Sequence, residues 1–145
     1  MSLSDWLKFG WLTEHQTTSG EIRDLFFIVE RDLADSELDA LSPDWKLNIA
    51  YNAALQAATA ALAACGYRAA RDAHHYRVIQ SLAYTIGAPG SLVARFDLFR
   101  KKRNLGGYER AGVISDQLAQ EMIALAREID SEVRHWLAAH RPDLL

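Results

Sequence analysis

The segment "RKKRNLGGYER", residues 100–110, gathers Arg100, Lys101, Lys102 and Arg103 ahead of Asn104, Tyr108 and Arg110. Cations at that density bind phosphate oxygens, an Asn amide can hold an arginine in one orientation, and a phenol can donate a hydrogen bond or stack on a base. The same residues have a plainer use. Lys and Arg in the last turn of a helix offset its macrodipole by roughly 0.3–1 kcal/mol each, and glycines end helices. Spacing singles out one cation. Leu92, Phe96 and Phe99 step by four and three along the helix that carries the segment, and the next step of four reaches Arg103. Arg103 thus continues an apolar face, either snorkelling past the end of the core or lining a cleft at a helix or subunit boundary. Lys101 and Lys102 lie off that stripe and are expected to face solvent.

The segment is the basic pole of an acidic chain. The formal net charge is -3, residues 20–44 hold eight acidic and two basic side chains, and residues 95–110 hold six basic and two acidic. With 145 residues, half of them apolar, the chain is expected to form one domain, 1–145, able to bury a core without disulfides or metals. Cys65 is the single cysteine, so neither an intrachain disulfide framework nor a thiolate zinc site can be built. The opening "MSLSDWLKFGWL" lacks a basic leader and carries Asp5, Lys8 and Gly10. It reads as neither signal peptide nor membrane span, and a cytoplasmic location is expected.

The elements that must position the basic segment are helical. Apolar residues recur with a 3.6-residue period and no stretch alternates as a strand would, so the expected fold is all-α, an antiparallel bundle of four to five helices. Ser4 is a candidate cap for a short N-terminal turn, and "TEHQTTSG" reads as a loop. Thr18 or Ser19 caps a helix to about residue 39, with Ile22, Phe26, Val29 and Leu33 inward. Ser42, Pro43 and Asp44 start the next helix, and Gly66 stops it after Cys65. Nine alanines lie between residues 50 and 64 on more than one face, which lets neighbours approach from several sides and marks this as the central helix. A helix over 73–86 should turn Ile79, Leu82, Ala83 and Ile86 inward. A fourth, capped by Ser91, should run to Arg103 and break at Gly106 and Gly107. A fifth starts at Ser115 and passes Leu118, Met122, Leu125, Ile129 and Val133 before closing near Arg141 and Pro142.

"AYNAALQAATAALAACGYR", "HHYRVIQSL" and "FDLFRKKRNLGGYERAG", followed by an amphipathic last helix, together resemble a HEPN domain over about residues 20–139, leaving 1–17 as an N-terminal extension. The resemblance implies a small helical bundle, often a homodimer, with no metal and no cofactor. Many such domains are metal-independent endoribonucleases of toxin–antitoxin, defence or stress systems, and others are non-catalytic modules that bind RNA, a nucleotide or a partner. The family signature is an Arg, a polar residue and a following His at the end of a late helix facing a cleft between subunits. Arg103 and Asn104 match its first two positions, and Tyr108 stands where the His belongs. By this resemblance Arg103 contacts phosphate and stabilises the charge of a phosphorane, and Asn104 orients it. Tyr108 positions ribose or base, or is modified by a nucleotidyltransferase antitoxin. Arg100, Lys101, Lys102 and Arg110 would add to nucleic-acid or nucleotide binding. Tyr108 changes the chemistry, because a free phenol titrates near 10 and is a poor base at neutral pH, where His serves well.

Other candidates read as structural. His74 and His75 point about 100° apart on a helix and make no ligand pair, although either could replace the absent His by approaching Arg103 in space. His135 and His140 do not share a face. Arg68 with His74 and Arg134 with His140 repeat the bare Arg-to-His spacing, the first across a loop and the second at the C-terminus. Trp45 and Trp136 read as packing, and Trp6 and Trp11 as the tryptophans most open to solvent, on a flap or dimer arm.

Overall fold

A computed structural model describes residues 1–108 and 114–145, with side chains described for 1–103 and 114–145. Helices α1 (Leu3–Lys8), α2 (Ser19–Ser36), α3 (Pro43–Ala64), α4 (His74–Thr85), α5 (Gly90–Tyr108) and α6 (Asp116–His140) account for most of the chain. The protein is thus mostly helical, as its periodicity predicts. One feature departs from that prediction, a ribbon of strands β1 (Leu12–Glu14) and β2 (Tyr67–Ala69). The strands pair antiparallel with Leu12 opposite Ala69 and Glu14 opposite Tyr67. Three residues are too few to display an alternating pattern, so periodicity gives no warning of them.

α3 lies at the centre. Thirteen of its side chains are buried, including every alanine from Ala50 to Ala64. Helices α2, α4, α5 and α6 and strand β2 all pack against it. Its ends follow the local chemistry. The Ser42 hydroxyl accepts from the Trp45 backbone N–H with Pro43 in the first turn, and Cys65 caps the far end before Gly66 at φ +95°. Against this helix α2 lays Ile22, Phe26, Val29 and Leu33, and α6 lays Met122, Leu125, Ile129, Val133 and Leu137, all buried. One polar link crosses the α2–α3 seam. Asp32, 5% exposed, accepts from Asn52 Nδ2 at 2.7 Å and from Arg31 Nε at 3.0 Å, which satisfies a carboxylate that burial would otherwise penalise.

Several helix ends differ from the sequence reading, each for a local reason. The cap of α1 is Ser2, whose hydroxyl takes the Asp5 N–H while Asp5 returns a bond to the Ser2 backbone. The acidic helix α2 stops at Ser36, whose hydroxyl turns back onto the Leu33 carbonyl at 2.7 Å. α4 starts without a side-chain cap, behind Ala73 in the left-handed region at φ +52°. On α4 the inward set includes Ile79 and Leu82 but not Ala83, which is exposed, and Thr85 is buried instead. α5 begins at Gly90 and continues through Gly106 and Gly107 to Tyr108, so the glycines do not break it. A glycine in a helix interior costs about 1 kcal/mol relative to alanine, which is a penalty and not a stop.

The N-terminal extension is packed down. Trp6, 4% exposed, joins Leu12 and Leu62 in a small cluster of its own. Its ring meets Trp11 and Tyr84 edge-on at 5.9 and 5.3 Å. The Arg77 guanidinium lies 3.6 Å from the Trp11 ring centre, adding a cation–π contact that ties this layer to α4. Trp6 is therefore core, and Trp45, 62% exposed, is the open tryptophan. Among the described residues no helix is long and apolar enough to cross a membrane.

Ala57 has no exposed surface at the centre of this packing. Ala57→Leu should lower stability by about 1–3 kcal/mol through overpacking, seen as a lower urea midpoint with an unchanged slope. An unaltered midpoint would show that α3 has room its burial does not suggest.

Candidate functional site

Where α5 passes α3 and α4, the apolar stripe behaves as its spacing predicts. Leu92, Phe96 and Phe99 are buried, and Phe96 meets Tyr51 of α3 edge-on at 5.6 Å. One turn beyond Phe99, Arg103 is half-buried with its guanidinium carbon 5.0 Å from the centre of the Tyr51 ring. Its Nε is shut off from solvent and has no hydrogen-bond partner among the described residues. Arg103 thus lies against an aromatic face at the edge of the core, with donor capacity unspent. A buried unpartnered donor typically costs roughly 1–3 kcal/mol; Trp6 Nε1, Arg77 Nε and Thr85 Oγ1 are in the same state, and what sets Arg103 apart is its place beside Tyr51 at the end of the basic segment.

The other cations of the segment are held differently. Asp97, one turn back, accepts from Arg100 Nε at 2.8 Å and stands 3.7 Å from Lys101 Nζ. The Arg100 guanidinium carbon also lies 5.4 Å from the Tyr76 ring centre on α4. Lys101 is exposed as its position off the stripe predicts, and Lys102 is half-buried. Asn104 and Tyr108 belong to the helical backbone of α5, but their side chains lie outside the described residues, as does Arg110. Of the residues singled out in the sequence, Arg100 and Arg103 therefore come together at the junction of α3, α4 and α5, with Lys101 and Lys102 beside them.

Tyr51 and His75 complete this junction. Tyr51 is 1% exposed, and its hydroxyl lies 3.1 Å from His75 Nδ1. Burial pushes the Tyr51 phenol up to about 12 despite the opposing effect of Arg103 and Arg100, so it stays neutral. Burial, followed by the charges of Arg103, His74 and Arg100, pushes the His75 imidazole below its ordinary value, which favours the neutral ring near pH 7. His74 is exposed, its Nδ1 3.3 Å from the Ala70 carbonyl and its ring centre 6.1 Å from that of His75, so it edges the junction without sharing the Tyr51 contact. The sequence does hold a signal for Tyr51. It is an aromatic with a polar tip inside an alanine helix, and a buried hydroxyl there must find a partner on a neighbouring element.

The remaining candidates are engaged elsewhere. Arg68 is largely exposed, 3.9 Å from Glu21. Arg134 is spent on Asp130 and Glu30 and on the Phe26 ring. His135 is exposed, and His140 stacks on Trp136. Among the described residues no group of three or more His, Cys, Asp or Glu side chains is placed to hold a metal ion.

A cavity of about 520 Å³ opens at the opposite end of α3, lined by Glu14, His15, Thr17, Cys65 and Arg141 among others. It is fourteen residues along the helix from Tyr51, roughly 20 Å at 1.5 Å per residue. Its polar groups satisfy one another. His15 Nε2 and Thr17 Oγ1 lie 2.7 and 2.8 Å from Glu21 Oε1, and Arg141 donates to the Ala64 carbonyl and to Asp143. Burial pushes the Cys65 thiol up, with Arg141 offsetting only part of it, so the thiol is a weak nucleophile. The Arg103 junction, with an unpartnered donor and a neutral imidazole, has the greater chemical capacity.

Comparison with protein-family models, with curated proteins and with solved structures finds no match.

A depressed imidazole in the native state means that His75 contributes stability in its neutral form above about pH 6.5, its unfolded value, and loses that contribution as pH falls from there through its lower folded value. Stability measured by urea unfolding should therefore decline as pH falls below about 6.5, and His75→Gln should flatten that decline. A variant with the same slope as the wild type would show that His75 is not the group responsible.

Proposed function

We propose that the protein is a HEPN-type module of a toxin–antitoxin or stress system that engages RNA through the Arg103 junction, and that it cleaves the strand without a metal. The observation that carries this reading is the state of Arg103. It is an arginine on the inward face of α5, held against the Tyr51 ring, with an Nε that nothing among the described residues satisfies. A guanidinium so held is oriented before any ligand arrives, and a phosphodiester meets the part of this half-buried side chain that stays open, not the enclosed Nε. Arg100, steadied by Asp97, adds a second cation to the same end of the bundle.

In this function Arg103 binds the scissile phosphate and stabilises the charge that grows on its non-bridging oxygens. Asn104, next on the helix, orients that arginine, and Tyr108 contacts the ribose or base. The site lies at a cleft between two copies of the chain, with a nucleotidyltransferase antitoxin as the regulating partner. Tyr108 at the position of the family's histidine favours a second reading, in which the same site binds RNA, a nucleotide or a partner and performs no cleavage.

Incubation of the purified chain with RNA in EDTA distinguishes the two. Cleavage is expected, with Arg103→Ala reducing it by roughly 10²–10³-fold, the usual loss when one charge-stabilising donor is removed. Binding should weaken with salt, and Arg103→Ala should reduce the slope of log affinity against log salt by about 1. RNA that is bound but left intact supports the second reading. RNA neither bound nor cut, or a variant indistinguishable from wild type, would overturn the assignment of Arg103.

A further inference from the structure

We propose that His75, on α4 and 28 residues before Arg103 in sequence, is the proton-transfer residue of the Arg103 site, serving where Tyr108 cannot. The proposal rests on the RNA-cleaving reading above and assigns the base that this reading lacks.

The geometry is that of a base with an orienting partner. Tyr51 anchors one edge of the imidazole, its hydroxyl 3.1 Å from Nδ1 and the two ring centres 5.8 Å apart. The same Tyr51 ring carries Arg103 on its face, so one buried side chain positions both the cation and the imidazole. No bond to His75 Nε2 is found among the described residues, and the residue as a whole is half-buried. The neutral Tyr51 hydroxyl can accept from Nδ1–H, and in that tautomer the Nε2 lone pair is the base.

Charge around the ring favours this role. From α5 it meets Arg100 and Arg103, with Asp97 compensating Arg100; from α4, His74; and from α3, the uncharged Tyr51. The surroundings are net cationic and the imidazole is unprotonated near neutrality, as a general base must be. When an RNA strand binds, its phosphate neutralises part of that field, so the imidazole becomes easier to protonate as the substrate is seated.

The step balances without a metal. His75 Nε2 takes the proton of a ribose 2′-hydroxyl, and the 2′-oxygen forms a bond to the adjacent phosphorus while Arg103 holds the non-bridging oxygens. The bond from phosphorus to the 5′-oxygen breaks, and that oxygen takes a proton from water. The imidazolium then releases its proton to the hydroxide so formed. The products are a 2′,3′-cyclic phosphate and a 5′-hydroxyl end.

Single-turnover cleavage of an RNA oligonucleotide in EDTA, followed from pH 5 to 9 with the full chain, tests this assignment. The wild type should lose rate on the acid side with a midpoint below 6.5, and His75→Gln should be slower by at least about 10²-fold, without that acid limb. Its RNA affinity should stay within about threefold of wild type. Tyr51→Phe, which keeps the packing and removes the hydroxyl, should retain cleavage with a displaced acid limb. As a measurement that needs no variant, the His75 imidazole nitrogen resonances should shift when an uncleavable oligonucleotide with a single 2′-deoxy position is added. A His75→Gln rate within threefold of wild type at every pH, or resonances that do not move on binding, would overturn the role of His75 while leaving the Arg103 site intact. Wild-type protein that binds RNA without cutting it removes the catalytic role. Protein that does not bind RNA removes the underlying reading and this proposal together.

Discussion

The fold depends on one constraint, which is that α3 must be surrounded. An alanine helix offers little apolar area per residue, so it gains by letting other backbones come close on every side and not by large side chains of its own. With buried alanines along its whole C-terminal half, α3 draws α2 and α6 onto some faces and α4 and α5 onto others. The large residues come from those neighbours, Ile22 and Phe26 from α2, Ile79 and Leu82 from α4, Phe96 from α5 and Met122 from α6. α3 itself adds Leu47, Leu55, Leu62 and, alone among these in carrying a polar tip, Tyr51. It is among the largest fully buried side chains of the protein, and its hydroxyl has to be satisfied inside the packing. The partner is His75, which fixes the start of α4 relative to α3 and to the end of α5. Packing and polar satisfaction at this one residue therefore create the junction that holds Arg103.

Much of this was legible in the sequence because it rests on local chemistry. Ser42 and Pro43 start α3 through a hydroxyl and a fixed φ, Gly66 ends it through a positive φ, and Ser115 starts α6 by the same capping as Ser42. Arg103 was legible as an inward cation because helical period alone places it after Phe99. What was not legible depends on contacts between distant residues. Trp6 is buried because Leu62 and Tyr84 close over it beside its near neighbours Leu12 and Trp11, and no local pattern encodes the two distant partners. The β1–β2 ribbon pairs residues more than fifty positions apart and is held by the turn that follows α3. Ala73 sits in a left-handed conformation that no residue preference would propose. His75 is legible as a histidine next to another histidine, but its separation from His74 in environment exists only once α3 supplies Tyr51.

Charge on the surface is organised in a way that net charge conceals. The acidic residues of α2 are not merely solvated. Glu30, and Glu37 at the cap that follows the helix, reach across to Arg134 and Arg127 of α6, which uses the basic side chains of that helix internally. Exposed pairs of this kind contribute little to stability, but they leave α6 with few spare cations. The segment at the end of α5 is different. Asp97 accompanies Arg100 and Lys101, whereas no carboxylate accompanies Arg103 among the described residues. The proposed binding of an anionic strand rests on that difference, a guanidinium against an aromatic ring with no acid beside it among the described residues.

The chemistry and the core are consequently not separable here. Arg103 and Tyr51 are 52 residues apart in sequence, and Tyr51 and His75 are 24 apart, yet the three form one contact chain across α5, α3 and α4. Each link serves packing and positioning together. The Tyr51 ring fills the space that the alanines leave, its face holds the guanidinium, and its hydroxyl holds the imidazole. A site built this way has its geometry set by the same burial that stabilises the bundle, so precision does not depend on a loop. On the proposed RNA-cleaving reading it also accommodates a tyrosine at position 108. Where a late helix supplies the cation and a separate helix supplies a neutral imidazole through the core, proton transfer no longer has to come from the residue that follows the arginine in sequence.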